Sequence, residues 1–258
     1  MAKITIVGRG LDPSKHLSLA GINALRRADK VFGIESEKNF WKQLEKQFQI
    51  KQIEDLSPLY RNNEIDTKNY QEFIGLIFDI SSKYEEIVLL VAGHPRVGVS
   101  FVDMLQRAYP QIDLEIIEGI SSFDVMLNYL ALDPLEAGTA ILDANRLLLF
   151  QYQMEPSICY FIYHICSVGT SRTNYKDPSK DNQVYLLKDY LLNFYSPTKI
   201  IHLCRMSNGR EQQSIKTSLL LTELDTDLSI IDFSTTLFIP AEEPKNLDFK
   251  YLKLIKQA

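Results

Sequence analysis

Residues Glu86 to Ala92, EIVLLVA, form a nearly unbroken apolar run that stops at Gly93-His94-Pro95. A strand with one wet face alternates apolar and polar residues. A run this continuous predicts a central parallel strand, because crossover helices cover both faces of a parallel sheet. The neighbouring pattern agrees. Lys3 to Val7 (KITIV) is β-branched and apolar and leads into Gly8, Gly10 and Asp12, after which Leu17 to Ala28 carries apolar residues at helical spacing. Lys30 to Gly33 and Lys51 to Ile53 predict two more strands, separated by a helix whose Phe40, Trp41, Leu44 and Phe48 share a face. The segment Asp55 to Lys68 holds Pro58, Asn62, Asn63 and Asp66 without a period and reads as a long loop, a kind that is often functional. A helix from Asn69 to Tyr84, a short helix from Ser100 to Ala108 and a strand at Asp113 to Ile117 complete an alternating β/α series. Such a series predicts an open, mostly parallel sheet.

The pattern changes after Glu118-Gly119-Ile120. A helix from Ser121 to Leu132 ends at Asp133-Pro134, where the proline disfavours helix in the residue before it. Strands are predicted at Thr139 to Leu142, Ile158 to Ile165, Lys199 to Cys204, Asp227 to Ile231 and Thr235 to Pro240. One helix is predicted at Asn182 to Phe194, and Thr170 to Asn182 reads as an exposed polar loop. Strands now outnumber helices, which predicts a mixed sheet with antiparallel pairs. The fold class expected is therefore α/β with two domains: residues 1–119 as an N-terminal α/β domain and residues 120–258 as a C-terminal mixed α/β domain. A chain of 258 residues has room for both.

Charge and composition narrow the function. With 28 basic and 33 acidic side chains the net charge is −5, which gives no footprint for a nucleic-acid backbone. The start, MAKITIVGRG, lacks the apolar core of a signal peptide, and no apolar run is long enough to cross a bilayer, so a soluble protein is expected. Cys159, Cys166 and Cys204 have no CxxC spacing and cannot all pair within one chain, which favours a reducing cytoplasm. Zinc-protease, serine-hydrolase and Walker motifs do not occur, and His16, His94, His164 and His202 are scattered, so no metal is expected.

Three glycine turns carry the candidate chemistry. In Val7-Gly8-Arg9-Gly10-Leu11-Asp12 the glycines let the backbone approach a ligand, but Pro13 occupies the last glycine position of a dinucleotide fingerprint, which argues against nicotinamide. Gly93 follows the most apolar strand, beyond whose carboxyl end an open α/β sheet binds ligands. His94 beside it is a base, a hydrogen-bonding group or a structural residue. Ser121, in the third turn, accounts for itself as a helix cap. Convergence of three such turns on one sheet edge predicts a shared pocket. Tyr60 and Tyr70 flank the long loop; a phenol there is either a packing group or an acid–base group tuned by nearby charge.

Taken in order, VGRGLD, AGHPRV, EGISS and the C-terminal STTLFIP resemble the tetrapyrrole-methylase-like superfamily of S-adenosylmethionine-dependent methyltransferases. The resemblance is strongest to the borosin peptide backbone α-N-methyltransferases: GHPRVGVS resembles their GHPGVF-type loop, GISSFD their GISAED-type segment and LALDP their LGIDP. DANRLLLF and YFIYHICSVG resemble two further stretches. This resemblance implies S-adenosyl-L-methionine in a cleft between the two domains. The implied cofactor contacts are Gly8, Gly10, Gly93, His94, Pro95, Val97, Ser121, Ser122, His164, Met206 and Thr235. It implies Tyr60 and Tyr70 as the tyrosines that help form and stabilise an imidate-like amide. Asp66 stands at the family's arginine position, so the implied positive charge falls to Arg61 or Arg96; Ala92 replaces a tyrosine and His164 a glutamine. Because the chain ends soon after its last strand, at Ala258, the resemblance further implies a precursor peptide supplied in trans. A homodimer is also implied, with Asp55 to Tyr84 acting as a clamp. The alternatives are methylation of a tetrapyrrole-like or other small substrate, and a catalytically weakened homologue that only binds cofactor or precursor.

Overall fold

The computed structural model describes residues 2–35, 38–209 and 213–256. Its first half runs β1 (Lys3–Gly8), α1 (Pro13–His16), α2 (Leu19–Arg27), β2 (Lys30–Gly33), α3 (Lys38–Phe48), β3 (Ile53–Asp55), β4 (Glu64–Ile65), α4 (Asp66–Ile80), β5 (Glu86–Val91), α5 (Ser100–Ala108) and β6 (Asp113–Ile117). Five of these strands form a sheet in the order β3-β2-β5-β1-β6 with every pairing parallel. The EIVLLV strand β5 lies at its centre, as its apolar continuity requires. Successive side chains go to opposite faces. Ile87, Leu89 and Val91 join Ile4, Ile6, Phe73 and Leu105 under α4 and α5, while Val88 and Leu90 join Val7, Leu25, Trp41 and Leu44 under α2 and α3.

The second half runs α6 (Ser122–Leu130), β7 (Thr139–Asp143), α7 (Ala144–Phe150), β8 (Cys159–Tyr163), β9 (Arg172–Thr173), α8 (Val184–Leu191), β10 (Ile200–Arg205), β11 (Ile215–Leu220), β12 (Thr235–Ile239) and α9 (Phe249–Ile255). Its sheet has the order β11-β10-β12-β8-β7; β7 and β8 are parallel and the other pairs antiparallel, the mixed sheet expected. One face packs on α7 and α8 through Leu147, Ile162, Leu187, Leu203 and Leu237, and the other on α6 through Met126, Phe161 and Phe238.

Four expectations need correction. Asp227 to Ile231 is not a strand: Asp227 accepts the Ser229 N–H at 2.9 Å and starts a 3-10 turn at Leu228–Ile230, since a short acidic side chain can bond its own backbone two residues on. The α4 helix begins at Asp66 rather than Asn69, and α8 is shorter than Asn182 to Phe194 at both ends. The polar stretch Thr170 to Asn182 is not merely an exposed loop, because it supplies β9, which pairs antiparallel with β4 from the long loop of the first half. Finally, β11 was not legible: its IKTSLL is almost wholly exposed and carries no alternation, so tertiary pairing alone makes it a strand. Among the described residues no helix is long and apolar enough to cross a membrane.

Candidate active site

Three glycines hold the carboxyl edge of the first sheet together. A Cβ on Gly8, the last residue of β1, would lie 2.6 Å from the Gly119 nitrogen and 2.7 Å from the Gly93 carbonyl oxygen, so no side chain fits there. Gly10 and Gly93 exchange backbone hydrogen bonds of 3.3 and 3.1 Å, which draws the first turn against the loop after β5. Gly93 itself has φ +65°, the left-handed region that favours glycine, yet a Cβ there would meet nothing nearer than the Ser121 Cα at 3.9 Å. The open side of Gly93 belongs to a cavity of about 440 Å³ between the two sheets, within the usual range for small-molecule sites.

This cavity gathers Gly93, His94, Val97, Ser121, Ser122, His164, Met206 and Thr235, together with Tyr60 and Tyr70. Gly8, Gly10, Pro95 and Arg61 are not in its wall. Gly8 and Gly10 shape the edge from behind, and Pro95 is buried beneath the loop. Arg61 forms an ion pair with Glu72 on the outer face of α4, and Arg96 turns outward to Asp103 and Gln106. Neither arginine brings positive charge to the cavity. Sequence reading missed Leu11, Ile34, Gly98, Tyr163, Asn208 and Phe233, all in the wall; the loop glycine Gly98, with φ +69°, was the one with a visible signal.

The polar groups of the wall are pinned individually. Ser121 closes a capping box with Asp124, accepting the Asp124 N–H at 3.3 Å while the carboxylate accepts the Ser121 N–H at 2.7 Å. Its neighbour Ser122 hydrogen-bonds the Tyr163 hydroxyl at 3.0 Å. The Nδ1 of His94 accepts the Arg96 N–H at 3.0 Å. His164 follows β8 in the left-handed region, φ 58°, and its Nδ1 lies 2.6 Å from Asp143 Oδ2. Asp143 also caps α7 by accepting the Arg146 N–H at 2.8 Å. Burial alone pushes the Asp143 carboxyl up, but the bonds from His164 and Arg146 outweigh it and hold the group below its ordinary value.

The two tyrosines come from the long loop and α4. Buried Asn69 fixes that loop by accepting the Arg61 N–H at 3.0 Å and donating to the Arg61 carbonyl at 3.1 Å. Tyr60 and Tyr70 meet edge-on, ring centroids 6.1 Å apart. Tyr60 donates to Asp66 Oδ1 at 3.1 Å, and the same oxygen accepts the Thr173 hydroxyl of β9. Burial, then the neighbouring Tyr70 and Asp66, pushes the Tyr60 phenol well up; burial and the Asp66 charge push Tyr70 up. Both phenols therefore keep their protons at neutral pH. Burial likewise pushes the Cys166 thiol up to about 12 and Cys204 up to about 11, which suits packing groups rather than nucleophiles.

The model of Tetrapyrrole (Corrin/Porphyrin) Methylases matches residues 3–146, more than half of the chain. The chain belongs to that family. Among its curated relatives is the methyltransferase/ribosomally synthesized type I borosin cyclic peptide precursor ceuMA2 of Cerrena unicolor. It is 24% identical, over 98% of this chain and 62% of that protein. Another is the uncharacterized protein YabN of Bacillus subtilis, 24% identical over 95% of this chain and 46% of its own length. The chain thus spans about half the length of the curated relatives it matches. Among solved structures, the methyltransferase CobJ superposes with a TM-score of 0.61 at 12% identity, covering 96% of this chain and 98% of that one. The uroporphyrin-III-C-methyltransferase of Thermus thermophilus gives 0.60 at 14% identity, covering 93% and 92%.

Proposed function

We propose that the protein is an S-adenosyl-L-methionine-dependent methyltransferase acting on backbone amide nitrogens of a separate, ribosomally made precursor peptide. The observation that carries this reading is the cavity itself, in which the glycine-edged loops and the two tyrosines share one wall. The wall fits the cofactor: a Cβ would fill the space that Gly93 leaves open, and apolar groups with a few fixed hydroxyls surround it. Gly93, His94, Val97, Ser121, Ser122, Met206 and Thr235 are the residues that would hold it, with Gly8, Gly10 and Pro95 supporting the turns. The cofactor supplies an electrophilic methyl group on sulfur.

The chain's own residues supply position and polarity. A backbone amide becomes nucleophilic as negative charge moves onto its carbonyl oxygen, so hydrogen-bond donors aimed there lower the barrier. Tyr70 holds its proton and can turn its hydroxyl onto that oxygen; Tyr60, anchored on Asp66, orients it. The curated relatives named as borosin precursors support a peptide substrate, and the β4–β9 strap supports a clamp over it. Exposed Leu149, Phe150 and Tyr152 at the end of α7 offer an apolar face suited to the second copy of a homodimer. Residues 1–119 and 120–258 are the corresponding domains, and a cytoplasmic location suits three free cysteines.

The test is incubation with S-adenosylmethionine labelled in its methyl group and a short candidate precursor peptide. Label on the peptide is expected. Label on a tetrapyrrole and none on peptide would replace the substrate assignment; cofactor binding with no transfer would favour the weakened homologue, for which Asp66 in the family's arginine position is the motive.

A further inference from the structure

Moving a methyl group onto an N–H nucleophile releases one proton per transfer, and the argument that follows rests on the methyltransferase reading. Among the described residues the cavity wall holds five ionisable side chains: Tyr60, Tyr70, Tyr163, His94 and His164. Burial pushes all three phenols up, so each reaches the site with its proton already in place and none is a base. His94 accepts the Arg96 N–H on Nδ1, which leaves the proton of its neutral ring on Nε2. His164 is the reverse case. Its Nδ1 lies 2.6 Å from a carboxylate oxygen of Asp143, and a carboxylate only accepts, so Nδ1 donates and Nε2 presents a lone pair. No described residue hydrogen-bonds that Nε2.

Two features of the backbone serve this arrangement. His164 is held in the left-handed region at φ 58° and ψ 30°, a conformation costly for a residue with a side chain and concentrated at functional sites. Facing it, Gly98 has φ +69°, and a Cβ there would lie 3.4 Å from Nε2, so the glycine keeps that edge of the ring clear. We propose that His164 is the proton acceptor of the transfer and that Asp143 is its positioning residue. As the bond between the substrate nitrogen and the methyl carbon forms, the N–H bond breaks and its proton passes to Nε2. The electron pair of the broken carbon–sulfur bond stays on sulfur. The resulting imidazolium is paired with the Asp143 carboxylate, whose far side is held by the Arg146 N–H. Tyr60 and Tyr70 then stabilise charge rather than remove protons. The groups facing the imidazole are Asp143, Arg146 behind it, Tyr163 beside it and His94 on the same wall.

Two readouts test the proposal. Nitrogen-15 NMR of the intact protein saturated with S-adenosylhomocysteine is expected to show the neutral His164 ring protonated on Nδ1. A proton on Nε2 overturns the proposal whatever the substrate proves to be. With the precursor peptide, His164→Asn, which accepts a hydrogen bond but no proton, is expected to lower turnover about 10²-fold. Added imidazole should restore part of the rate to His164→Gly, and Asp143→Asn should fall between wild type and His164→Asn. An unchanged rate in His164→Asn overturns the assignment. A wild-type protein that binds cofactor but methylates nothing overturns the methyl-transfer reading, and the assignment with it.

Discussion

Gly8 and Gly93 look alike in the sequence, each following an apolar strand, yet their surroundings demand different things. At Gly8 an added methyl group meets backbone on two sides, whereas at Gly93 it enters the cavity. Gly8→Ala is therefore expected to unfold the edge and lower the melting temperature severely. Gly93→Ala should cost only the left-handed conformation, about 1–2 kcal/mol, while weakening cofactor binding; thermal melts paired with titration calorimetry distinguish the two. Normal cofactor affinity in Gly93→Ala would contradict the placement of the cofactor. For the phenols, Tyr70→Phe is expected to reduce turnover about 10²-fold or more with little change in cofactor affinity, as loss of one donor to a developing oxyanion requires. Equal losses in both would mark Tyr70 as packing. Both tyrosines stood out in the sequence because they flank a polar loop without period. Asp143, Asn69 and Tyr163 did not, since each acquires its role only through a partner on another element: His164, the Arg61 backbone and Ser122.

At the scale of elements, the parallel half was legible because burial on both faces leaves a continuous apolar signature in β5, and the glycine turns mark where strands end. The strap between β4 and β9 was invisible for the opposite reason. Each strand is only two residues long, Glu64–Ile65 and Arg172–Thr173, too short for a period and meaningful only against the other. It is held by the Asn63 N–H on the Thr173 carbonyl at 2.8 Å, by the Arg172 guanidinium on the Asn63 carbonyl at 2.9 Å, and by Asn62 on Asn174 at 3.0 Å. Since Thr173 also shares Asp66 with Tyr60, the strap couples the second half of the chain to the tyrosine wall. Thr173→Val keeps the β-branch and removes the hydroxyl. It is expected to change stability by about 1 kcal/mol and turnover by much more, with faster proteolysis near residues 60–66. A variant as active as wild type would show that the strap does not hold Tyr60 in place for the reaction.

At the scale of the whole molecule, pH connects fold and site. Burial by itself pushes Asp12, Asp143 and Asp232 up, but hydrogen bonds from Ser14, His164 and Ser234 among others hold all three below their ordinary values when folded. A carboxyl depressed by folding contributes stability that is present above its unfolded value, about 3.9, and lost as pH falls through the folded one. The melting temperature is therefore expected to stay level from neutrality to about pH 5 and drop below about pH 4; calorimetry across that range checks it, and a drop on the alkaline side alone would contradict the sign. The central claim, however, is chemical: the cavity between the two sheets delivers a methyl group to a peptide nitrogen. Fragment-ion mass spectrometry of a candidate precursor peptide after incubation with wild-type protein and S-adenosylmethionine tests it most directly. The account predicts added methyl groups on backbone nitrogens, formed much more slowly by Tyr70→Phe and His164→Asn; methyl groups on side chains only, or an unmodified peptide with cofactor bound, would contradict it.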